Sequence, residues 1–391
     1  MTETDVRSRQ HSDGLTDPWL TWHDRRFPAE VLHLDAAAAG RGSTATLRAA
    51  AAHAQNEAAR GVYVAEADAS AVLEAGRADL AWLLGVPPDG LAFVEGATAA
   101  LEVLLSAWPL RPGDTVAIAP SEWGPNVEAF GYHGLRVAAL PSHDDGRVDL
   151  DALPAFLAAT RPAFVHLVQV ASHRPVVQPV AAAAAMCRAA GVPLWVDAAQ
   201  ALGHVDTALG ADVLYATSRK WLAGPRGVGL LAVSDRYWDT LRPRSSALSR
   251  ASVPAGSSAV RLLESHDANV AGRVGLCTAV REYLDTGPQL IWRRLSEIGA
   301  LTREALAGLP GWDLLSSGGD VCAITALRPT AGQDVTEVRA RLLAGHDILV
   351  TAEGTARAPH DMPTPLLRIS PHVDCTPTDL TRLRTALESL T

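Results

Sequence analysis

The chain has 391 residues, of which 48% are hydrophobic and 20% are charged, a balance typical of a folded protein with a large buried core. Its formal net charge of −9 argues against a whole-surface electrostatic grip on nucleic acid or anionic lipid, while leaving room for a local basic pocket. The sequence has no apolar run near the roughly 20 residues of a membrane span, no apolar leader and no closely spaced cysteines, so we expect a cytoplasmic protein with no membrane, nucleic-acid or metal partner.

The predicted elements begin with an N-terminal arm, residues 1–30, whose Trp19 and Trp22 we expect to pack on the rest of the protein. An alanine-rich pattern then predicts helix over about residues 45–83, interrupted at Gly61-Val62-Tyr63. Beyond it, short apolar runs alternate with helical patterns, which predicts a mostly parallel α/β sheet covered on both faces, in a large domain of residues 31–250. The predicted strands are Thr115–Ala119, Val137–Leu140, Phe164–Val170, Pro193–Val196, Val213–Ala216 and Val228–Val233, and the helices between them include Ala99–Trp108, Pro154–Thr160 and Ala181–Ala190.

The C-terminal residues, 251–391, are predicted to form a smaller α+β domain. We expect its boundary, or a mobile loop, at the Ser-, Pro- and Arg-rich stretch Pro243–Ser258. The patterns that follow predict a long helical stretch at about Gly272–Leu309, a strand-like Val321–Leu327, a helix at Val335–Ala344, strands Ile348–Thr351 and Leu366–Ser370, and a closing helix from Pro377.

Lys220 is the only lysine in the chain, and the other 33 of the 34 basic residues are arginine. Arginine stays protonated in proteins and forms no imine with an aldehyde, whereas a lysine amine does so once its pKa is lowered. The count by itself is equally compatible with drift in an arginine-rich composition. It nevertheless makes Lys220 a candidate for chemistry that only lysine performs.

Asp197 supplies the partner that such chemistry needs. It ends the apolar run Pro193–Val196 and lies 23 residues before Lys220, which follows an apolar strand and precedes a glycine-proline turn. Strand ends are where α/β sheets present site residues, although a lone aspartate there is as often a helix cap. Pyridoxal 5′-phosphate requires both groups, a lysine for the imine and an acid that keeps the pyridine nitrogen protonated. The pair therefore favours a pyridoxal-phosphate site with Lys220 and Asp197 as catalytic residues.

A glycine-led helix start gives a candidate site for the cofactor's phosphate. Gly96, Ala97 and Thr98 lead directly into the predicted helix, and the free N–H groups of a helix N-terminus bind phosphate. Thr217 and Arg219, in the segment that carries Lys220, are expected to close the site from the other side.

Several short motifs occur in the order found in one known family. Over about residues 30–390 their combination resembles the class V aminotransferase family, which includes cysteine desulfurases, selenocysteine lyases and kynureninases. The resemblance implies a PLP-dependent transferase fold of type I, with a mixed, mostly parallel seven-stranded sheet in the large domain, and a homodimer with active sites near the interface. The motifs are Leu34-Asp35-Ala-Ala37, Gly96-Ala-Thr98, Asp197-Ala-Ala-Gln200, Ser-Arg-Lys220 and Leu-Arg368-Ile-Ser370.

Longer stretches look like one branch of that family, the carbon–sulfur lyases of ergothioneine biosynthesis, which cleave hercynylcysteine sulfoxide. This resemblance implies β-elimination on a cysteine-conjugate sulfoxide, giving the sulfur product, pyruvate and ammonia. Two alternatives remain open: another class V reaction, such as epimerisation, transamination or desulfurase-like chemistry, and a catalytically silent, cofactor-bound scaffold. The stretches are Ser172-His-Arg, Ala-Gln-Ala-Leu-Gly-His204, residues 218–229 and Arg368-Ile-Ser-Pro-His-Val-Asp374.

The resemblance also implies how the cofactor would be held. Lys220 would bind it covalently and later move the substrate Cα proton, while Asp197 would pair with the pyridine nitrogen. Trp123 would stack on the ring, and Gln200 and His173 would contact the phenolic oxygen. The phosphate would be held by Gly96, Ala97, Thr98, Thr217 and Arg219.

For the substrate, the resemblance implies that Arg368 binds the α-carboxylate in a bidentate fashion. Ala37, in the first motif, is a second predicted substrate-binding residue. A histidine-derived betaine carries a quaternary ammonium group, which aromatic faces favour, so Tyr63 is the third, with Trp22 and Trp123 as further candidate surfaces.

The sequence departs from the family in three places. Trp123 stands where relatives have histidine or tyrosine, and since indole only donates, a leaving sulfur would need a proton from water, Lys220 or a neighbour such as His133. Thr351–Pro365 lacks the nucleophilic cysteine that desulfurases carry there, which argues against a persulfide-forming enzyme. The third departure is Ser265-His266-Asp267 in place of the Gly-Thr phosphate contact made across the dimer, with Asn269 and Arg273 as candidate substitutes.

Overall fold

A computed structural model describes residues 18–244, 253, 255–265, 267–315, 319 and 321–390 of the chain. The first 17 residues of the predicted arm, and most of the predicted boundary Pro243–Ser258, lie outside these residues. The strands are β1 (Leu32–His33), β2 (Leu91–Val94), β3 (Thr115–Ile118), β4 (Arg136–Ala139), β5 (Phe164–Val168), β6 (Leu194–Asp197), β7 (Val213–Thr217), β8 (Gly229–Val233), β9 (Trp312–Leu315), β10 (Thr325–Pro329), β11 (Ile348–Leu349), β12 (Thr351–Glu353) and β13 (Leu366–Ile369). The α-helices are α1 (Pro18–Asp24), α2 (Thr44–Arg60), α3 (Val62–Leu84), α4 (Ala97–Ala107), α5 (Gly124–Tyr132), α6 (Leu153–Thr160), α7 (Val180–Ala190), α8 (Val270–Thr286), α9 (Pro288–Leu306), α10 (Val335–His346) and α11 (Pro377–Glu388).

A seven-stranded mixed sheet forms the centre of the large domain, in the order β2-β8-β7-β6-β5-β3-β4. Strand β8 runs antiparallel to both of its neighbours, and the pairings from β7 to β4 are parallel. Every residue of β5 and β6 is buried, because α4 and α5 cover one face of the sheet and α6 and α7 the other. The six predicted strands are confirmed, whereas the edge strand β2 was not predicted as a strand.

The smaller C-terminal unit contains a four-stranded antiparallel sheet in the order β12-β13-β10-β9. Helices α9, α10 and α11 pack with this sheet around a core of their own. The start of the chain is tied to it, because β1 pairs in parallel with β11 and Asp35 bridges to Ser370. Helix α8 instead packs against α2 and α3, so the helical stretch after residue 270 joins the two units.

Three predicted elements have different bounds in the structure. The stretch Gly272–Leu309 is two helices, because Gly287 adopts a positive φ of 97° and Pro288 starts α9. The strand predicted at Val321–Leu327 begins only at Thr325, since the Ala323 N–H donates to His204 Nε2 of the large domain (2.8 Å) rather than to a strand. The strand Ile348–Thr351 is split, because β11 pairs with β1 whereas β12 pairs with β13.

The described part of the arm packs on the body of the protein. Trp22 in α1 is 2% exposed and stacks on His372, with ring centroids 5.1 Å apart. The guanidinium of Arg26 also lies over the Trp22 ring, with Cζ 3.8 Å from the ring centroid. Among the described residues, no helix combines the length and the apolar character that a membrane crossing needs.

Candidate active site

Lys220 lies in a turn directly after β7, at the carboxyl edge of the central sheet. The turn is held by its own backbone, with Ser218 N–H donating to Val228 O (3.1 Å) and Gly40 N–H donating to Arg219 O (2.7 Å). A side chain on Gly40 would collide with the carbonyl of Lys220, so only glycine permits this close approach. The turn opens on a cavity of about 650 Å³ that both structural units line.

Of the thirteen predicted site residues, eleven line this cavity and two do not. Those that line it are Ala37, Gly96, Ala97, Thr98, Trp123, Asp197, Gln200, Thr217, Arg219, Lys220 and Arg368. They come from separate strand ends and helix starts, which the parallel sheet brings to one edge. His173 and Tyr63 do not line it.

The amine of Lys220 is electrostatically unusual. Its pKa is lowered to about 7, chiefly by burial and also by the neighbouring guanidinium groups of Arg219 and Arg368, while the carboxylate of Asp197 opposes the shift. A substantial fraction of the amine is therefore neutral near pH 7, which is the form that attacks a carbonyl and accepts a proton.

Asp197 is held at the floor of the cavity by two hydrogen bonds. Its Oδ1 accepts from the Ala199 N–H (2.8 Å) and its Oδ2 accepts from Asn126 Nδ2 (3.1 Å). Burial raises the pKa of Asp197, whereas Lys220 and these two donors oppose that rise. The carboxylate is thus fixed in orientation beneath the residues that surround Lys220.

A buried polar network, which sequence reasoning missed, supports Asp197 from below. Asn126 Nδ2 also donates to Glu122 Oε1 (2.8 Å), Glu122 Oε2 lies 2.7 Å from His166 Nδ1, and His166 Nε2 lies 2.8 Å from the hydroxyl of Tyr215. Glu122 and His166 are fully buried, and burial raises the pKa of Tyr215 well above its usual value. The sequence signal that could have found this network is that Glu122 follows β3 and Asn126 lies one helical turn later. Both residues therefore lie at the carboxyl edge of the sheet, where β6 ends in Asp197.

One end of the cavity is built to hold an anion. Helix α4 begins there, with Gly96 at its N-cap and Ala97 and Thr98 in its first turn. The guanidinium groups of Arg219 and Arg226 line the same cavity, and neither has a hydrogen-bond or ion-pair partner among the described residues. A side chain on Gly229 would overlap Gly96, so this strand and the helix start are in direct contact.

The side-chain amide of Gln200 makes two hydrogen bonds within the chain and has one N–H left over. Its Nε2 donates to Ala37 O (2.9 Å) and its Oε1 accepts from Trp221 Nε1 (2.8 Å). An amide nitrogen carries two N–H groups, so one remains for a ligand. The indole of Trp221 in turn stacks on His204 with centroids 3.8 Å apart, which holds the residue after Lys220 in place.

Arg368 occupies the small-domain side of the cavity and is almost fully engaged. Its Nη1 donates to Ser172 O (2.9 Å) and lies 2.7 Å from Glu353 Oε1, and its Nη2 donates to Asp35 Oδ1 (3.1 Å) and Thr351 Oγ1 (3.3 Å). Its Nε is buried and has no hydrogen-bond partner among the described residues. Both terminal nitrogens are engaged within the chain, and the bidentate contact with a carboxylate stays a prediction.

Three candidates from the sequence are engaged elsewhere. His173 Nε2 bonds to Asp361 (2.8 Å) of the small-domain segment, and burial lowers its pKa. Tyr63 is 71% exposed at the start of α3, and His133 pairs with Glu102 (3.0 Å) without lining the cavity. None of the three lines the cavity of its own chain.

The candidates for a phosphate contact across a dimer are also used within the chain. Asn269 caps α8 by accepting from the Gly272 N–H (2.8 Å), and Arg273 is buried beside Glu264 at 3.4 Å. His266 lies outside the described residues. Nothing in the described chain therefore assigns that contact.

Arg357 is a cavity residue that the sequence analysis did not single out. It closes the short 3₁₀ turn Thr355–Arg357 and lines the cavity beside Thr351 and Arg368. Burial lowers the pKa of its guanidinium to about 10, with Arg368 contributing in the same direction. The signal that could have found it is its place in the stretch where the cysteine of desulfurases is missing.

Comparisons with known proteins agree with this geometry. The family model described as aminotransferase class V matches residues 32–383. A curated relative from Mycobacterium tuberculosis (strain CDC 1551 / Oshkosh), named probable hercynylcysteine sulfoxide lyase, is 47% identical over 384 residues, which cover 97% of this chain and 94% of the relative. Isopenicillin N epimerase of Streptomyces clavuligerus is 28% identical over 352 residues, covering 82% and 85%.

Among solved structures, the apo cysteine desulfurase of Thermococcus onnurineus NA1 superposes with a TM-score of 0.82 at 21% identity, covering 92% of this chain and 94% of that one. At this identity the likeness speaks for the fold alone. It confirms the predicted α/β fold with its mixed, mostly parallel seven-stranded sheet.

Proposed function

The chain belongs to the class V aminotransferase family, and from that premise we propose that it is a pyridoxal-phosphate-dependent carbon–sulfur lyase acting on hercynylcysteine sulfoxide. The reaction is a β-elimination that releases the sulfur product, pyruvate and ammonia. One observation carries the proposal: the only lysine, with a pKa of about 7, shares a cavity with a fixed aspartate and an anion site. The substrate is proposed from the name of the relative that is 47% identical over 97% of the chain.

The residues present fit pyridoxal 5′-phosphate, the cofactor of this family. Arg219 and Arg226, whose guanidinium groups have no partner among the described residues, would hold the phosphate dianion together with the start of α4. Asp197 would pair with the pyridine nitrogen, Gln200 has an N–H left for the phenolic oxygen, and Trp123, which lines the cavity, would stack on the ring. When bound, the cofactor supplies an electron sink for the carbanion that forms at the substrate Cα.

The chain's own residues then account for proton transfer and orientation. The neutral amine of Lys220 would accept the Cα proton, which its pKa of about 7 permits at neutral pH. The buried Nε–H of Arg368 would bind the substrate α-carboxylate, since that N–H has no partner in the part of the chain that the structure describes. Asp197, held by Asn126 and Ala199, would keep its charge in a fixed place throughout.

The cysteines favour elimination over persulfide transfer. All four are buried, and none forms a disulfide in the part of the chain that the structure describes. Burial raises the pKa of Cys187 and of Cys277 to about 12 and raises that of Cys375 as well, so these thiols stay protonated at neutral pH. None of the four lines the cavity. A sulfur acceptor of the desulfurase type therefore has no counterpart beside Lys220.

We further propose that the protein is a cytoplasmic homodimer. Its support is the hairpin of α2 and α3, which exposes large apolar side chains that a second copy would cover. The exposed apolar residues of the hairpin are Leu47, Val62, Tyr63, Val64, Val72 and Trp82.

A turnover assay tests the proposed activity. The cofactor-loaded protein is incubated with hercynylcysteine sulfoxide and, in parallel, with cysteine, while pyruvate and the sulfur product are measured. We expect stoichiometric pyruvate from the sulfoxide and little from cysteine. No pyruvate from the sulfoxide, in protein whose absorption spectrum shows bound cofactor, would contradict the proposal.

A further inference from the structure

The proposed reaction creates negative charge on the leaving sulfur group. β-Elimination from a sulfoxide breaks the Cβ–S bond, and the electron pair stays with the sulfur, which leaves as a sulfenate with its charge largely on oxygen. The Cα proton goes to Lys220, the electron pair of the broken Cα–H bond becomes the second (π) bond between Cα and Cβ, and the sulfenate later takes a proton from water. No oxidant or reductant is needed, but the developing oxyanion needs a positive partner.

The cavity offers few groups for this task. Trp123 carries only a neutral indole N–H, and the carboxylates have the wrong charge. Lys220 is occupied with the Cα proton. The remaining positive groups are the four arginines. The ionisable side chains of the described residues that line the cavity are Glu95, Glu102, Asp197, Arg219, Lys220, Arg226, Arg357 and Arg368.

Three of the four arginines are assigned by their surroundings. Arg219 lies next to Lys220 in the chain and close enough to Arg226 for their charges to interact, and both are proposed above to hold the phosphate. Arg368 has both terminal nitrogens engaged by Ser172, Glu353, Asp35 and Thr351, as described above.

Arg357 is differently placed. Its Nε side pairs with Glu353, and its two terminal nitrogens have no partner among the described residues. Glu353 itself lies between Arg357 and Arg368, so it orients both guanidinium groups. With a pKa of about 10, Arg357 stays charged at neutral pH and acts through its charge and N–H groups rather than by proton transfer.

The segment that carries Arg357 is fixed to the large domain. Arg174 grips Asp361 with two hydrogen bonds of 2.7 Å, and His173 adds a third at 2.8 Å. On the other side of Arg357, a side chain on Gly124 would collide with the carbonyl of Ala356, which shows how closely the segment lies on α5. A guanidinium on such a clamped segment is preorganised, which is what makes charge stabilisation effective.

We propose that Arg357 binds the sulfoxide oxygen and stabilises the sulfenate as the Cβ–S bond breaks. Arg357 is then a catalytic residue that makes a proton donor at position 123 unnecessary. The inference rests on the proposed lyase function. It also explains the clamp, because His173 and Arg174 hold the segment that positions this guanidinium.

The test compares Arg357→Met and Arg357→Lys with the unaltered holoenzyme on two substrates, hercynylcysteine sulfoxide and β-chloro-L-alanine, whose chloride leaves without help. We expect Arg357→Met to lower kcat for the sulfoxide by about 10²–10³-fold, as for loss of one oxyanion donor, and to change kcat for β-chloroalanine by less than about threefold. Arg357→Lys should recover part of the loss. Cofactor affinity and the absorption spectrum of the bound cofactor should not change.

Deuterium exchange gives a second readout. In D₂O, sulfoxide recovered from Arg357→Met should carry deuterium at Cα, because the proton is removed but the bond does not break. Arg226→Met is the matched control, because it removes an equal charge from the same cavity. It should weaken cofactor retention without altering the ratio of the kcat values for the two substrates.

Three results would overturn the inference. An equal loss on both substrates would make Arg357 a carboxylate-binding or purely structural residue, and a raised KM for the sulfoxide at unchanged kcat would make it an anchor for a distant group. Recovery of undeuterated sulfoxide from Arg357→Met would show that an earlier step is blocked. If the unaltered enzyme processes β-chloroalanine but not the sulfoxide, the proposed function fails as well, which separates the two failures.

Discussion

The two buried polar clusters beside the cavity differ in how completely they are hydrogen-bonded. One is the floor, the network of Asp197 and the residues below it, and the other is the small-domain wall, formed by Glu353, Arg357 and Arg368. On the floor, none of the buried polar atoms of Glu122, Asn126, His166, Asp197 and Tyr215 lacks a hydrogen-bond partner. On the wall, the Nε atoms of Arg357 and Arg368 and an oxygen of Glu353 lack hydrogen bonds, although the three side chains form ion pairs. A completed network fixes geometry before any ligand arrives, whereas an incomplete one keeps donors for the ligand to fill.

Lys220 stands between these two regions, so its removal breaks both at once. Lys220→Ala should lower turnover by on the order of 10⁴-fold, since the chain has no other lysine to take its place. Pyruvate formation measures the loss, and circular dichroism checks that the fold is kept. Turnover within tenfold of the unaltered enzyme would rule out the proposed role.

The pKa of Lys220 gives the next largest effect. In the cofactor-free protein, reductive labelling of Lys220 by an aldehyde should rise about tenfold per pH unit up to pH 7 and level off near pH 8, because only the neutral amine reacts. A rate still climbing tenfold per unit between pH 8 and pH 10 would contradict the lowered pKa.

The same shift fixes the sign of a stability effect. Between pH 7 and the ordinary lysine pKa of 10.5, the unfolded chain binds a proton that the folded chain does not, so this group makes stability rise with pH across that window. Replacing Lys220 by methionine should remove that slope. The check is urea unfolding of both proteins at pH 7 and pH 9.

Breaking the floor tests whether its completeness matters. Asn126→Leu removes the amide that donates to both Glu122 Oε1 and Asp197 Oδ2 and so leaves two buried carboxylate acceptors without that donor, which should cost about 1–3 kcal/mol of unfolding free energy and weaken cofactor binding. Urea unfolding and titration of the cofactor measure the two effects. Asn56→Leu, whose partner Asp68 is exposed, is the control and should stay within about 0.5 kcal/mol. Equal stability of the two variants would mean that the floor does not act as a network.

The smallest effect is expected at the far end of the floor. Tyr215→Phe leaves His166 Nε2 without its partner, which should cost about 1 kcal/mol, while turnover changes by less than about threefold. Thermal unfolding and steady-state kinetics give the two numbers. A large fall in turnover at unchanged stability would show that the network carries protons rather than only positions.

The sequence was sufficient where chemistry depends on residue type and local position. Lys220 was found by its count, Asp197 by its place at a strand end, and Gly96 by the helix start that follows it. The sheet followed from apolar runs alternating with helices, since that pattern dictates crossover connections.

The parts that were missed depend on contacts between distant positions. Arg368 and Asp35 are 333 residues apart, and nothing in either segment shows that the two terminal nitrogens are already engaged. The bond from His173 to Asp361, 188 residues later, could not be foreseen for the same reason. Arg357 went unnoticed because it is one of 33 arginines, and its only local signal is its place in the stretch that lacks the desulfurase cysteine.

Because Lys220 is the only lysine, protease cleavage at this residue reports how much of the protein carries an aldehyde there. A lysine-specific protease has one place to cut this chain, after Lys220. Reduction with borohydride makes a bound aldehyde permanent on that amine, and a substituted lysine is no longer cut. The fraction of chain that stays uncut would then equal the fraction of sites that carried the aldehyde at the moment of reduction. Occupancy in a crude extract is therefore read by comparing the band of the intact chain with those of its two fragments.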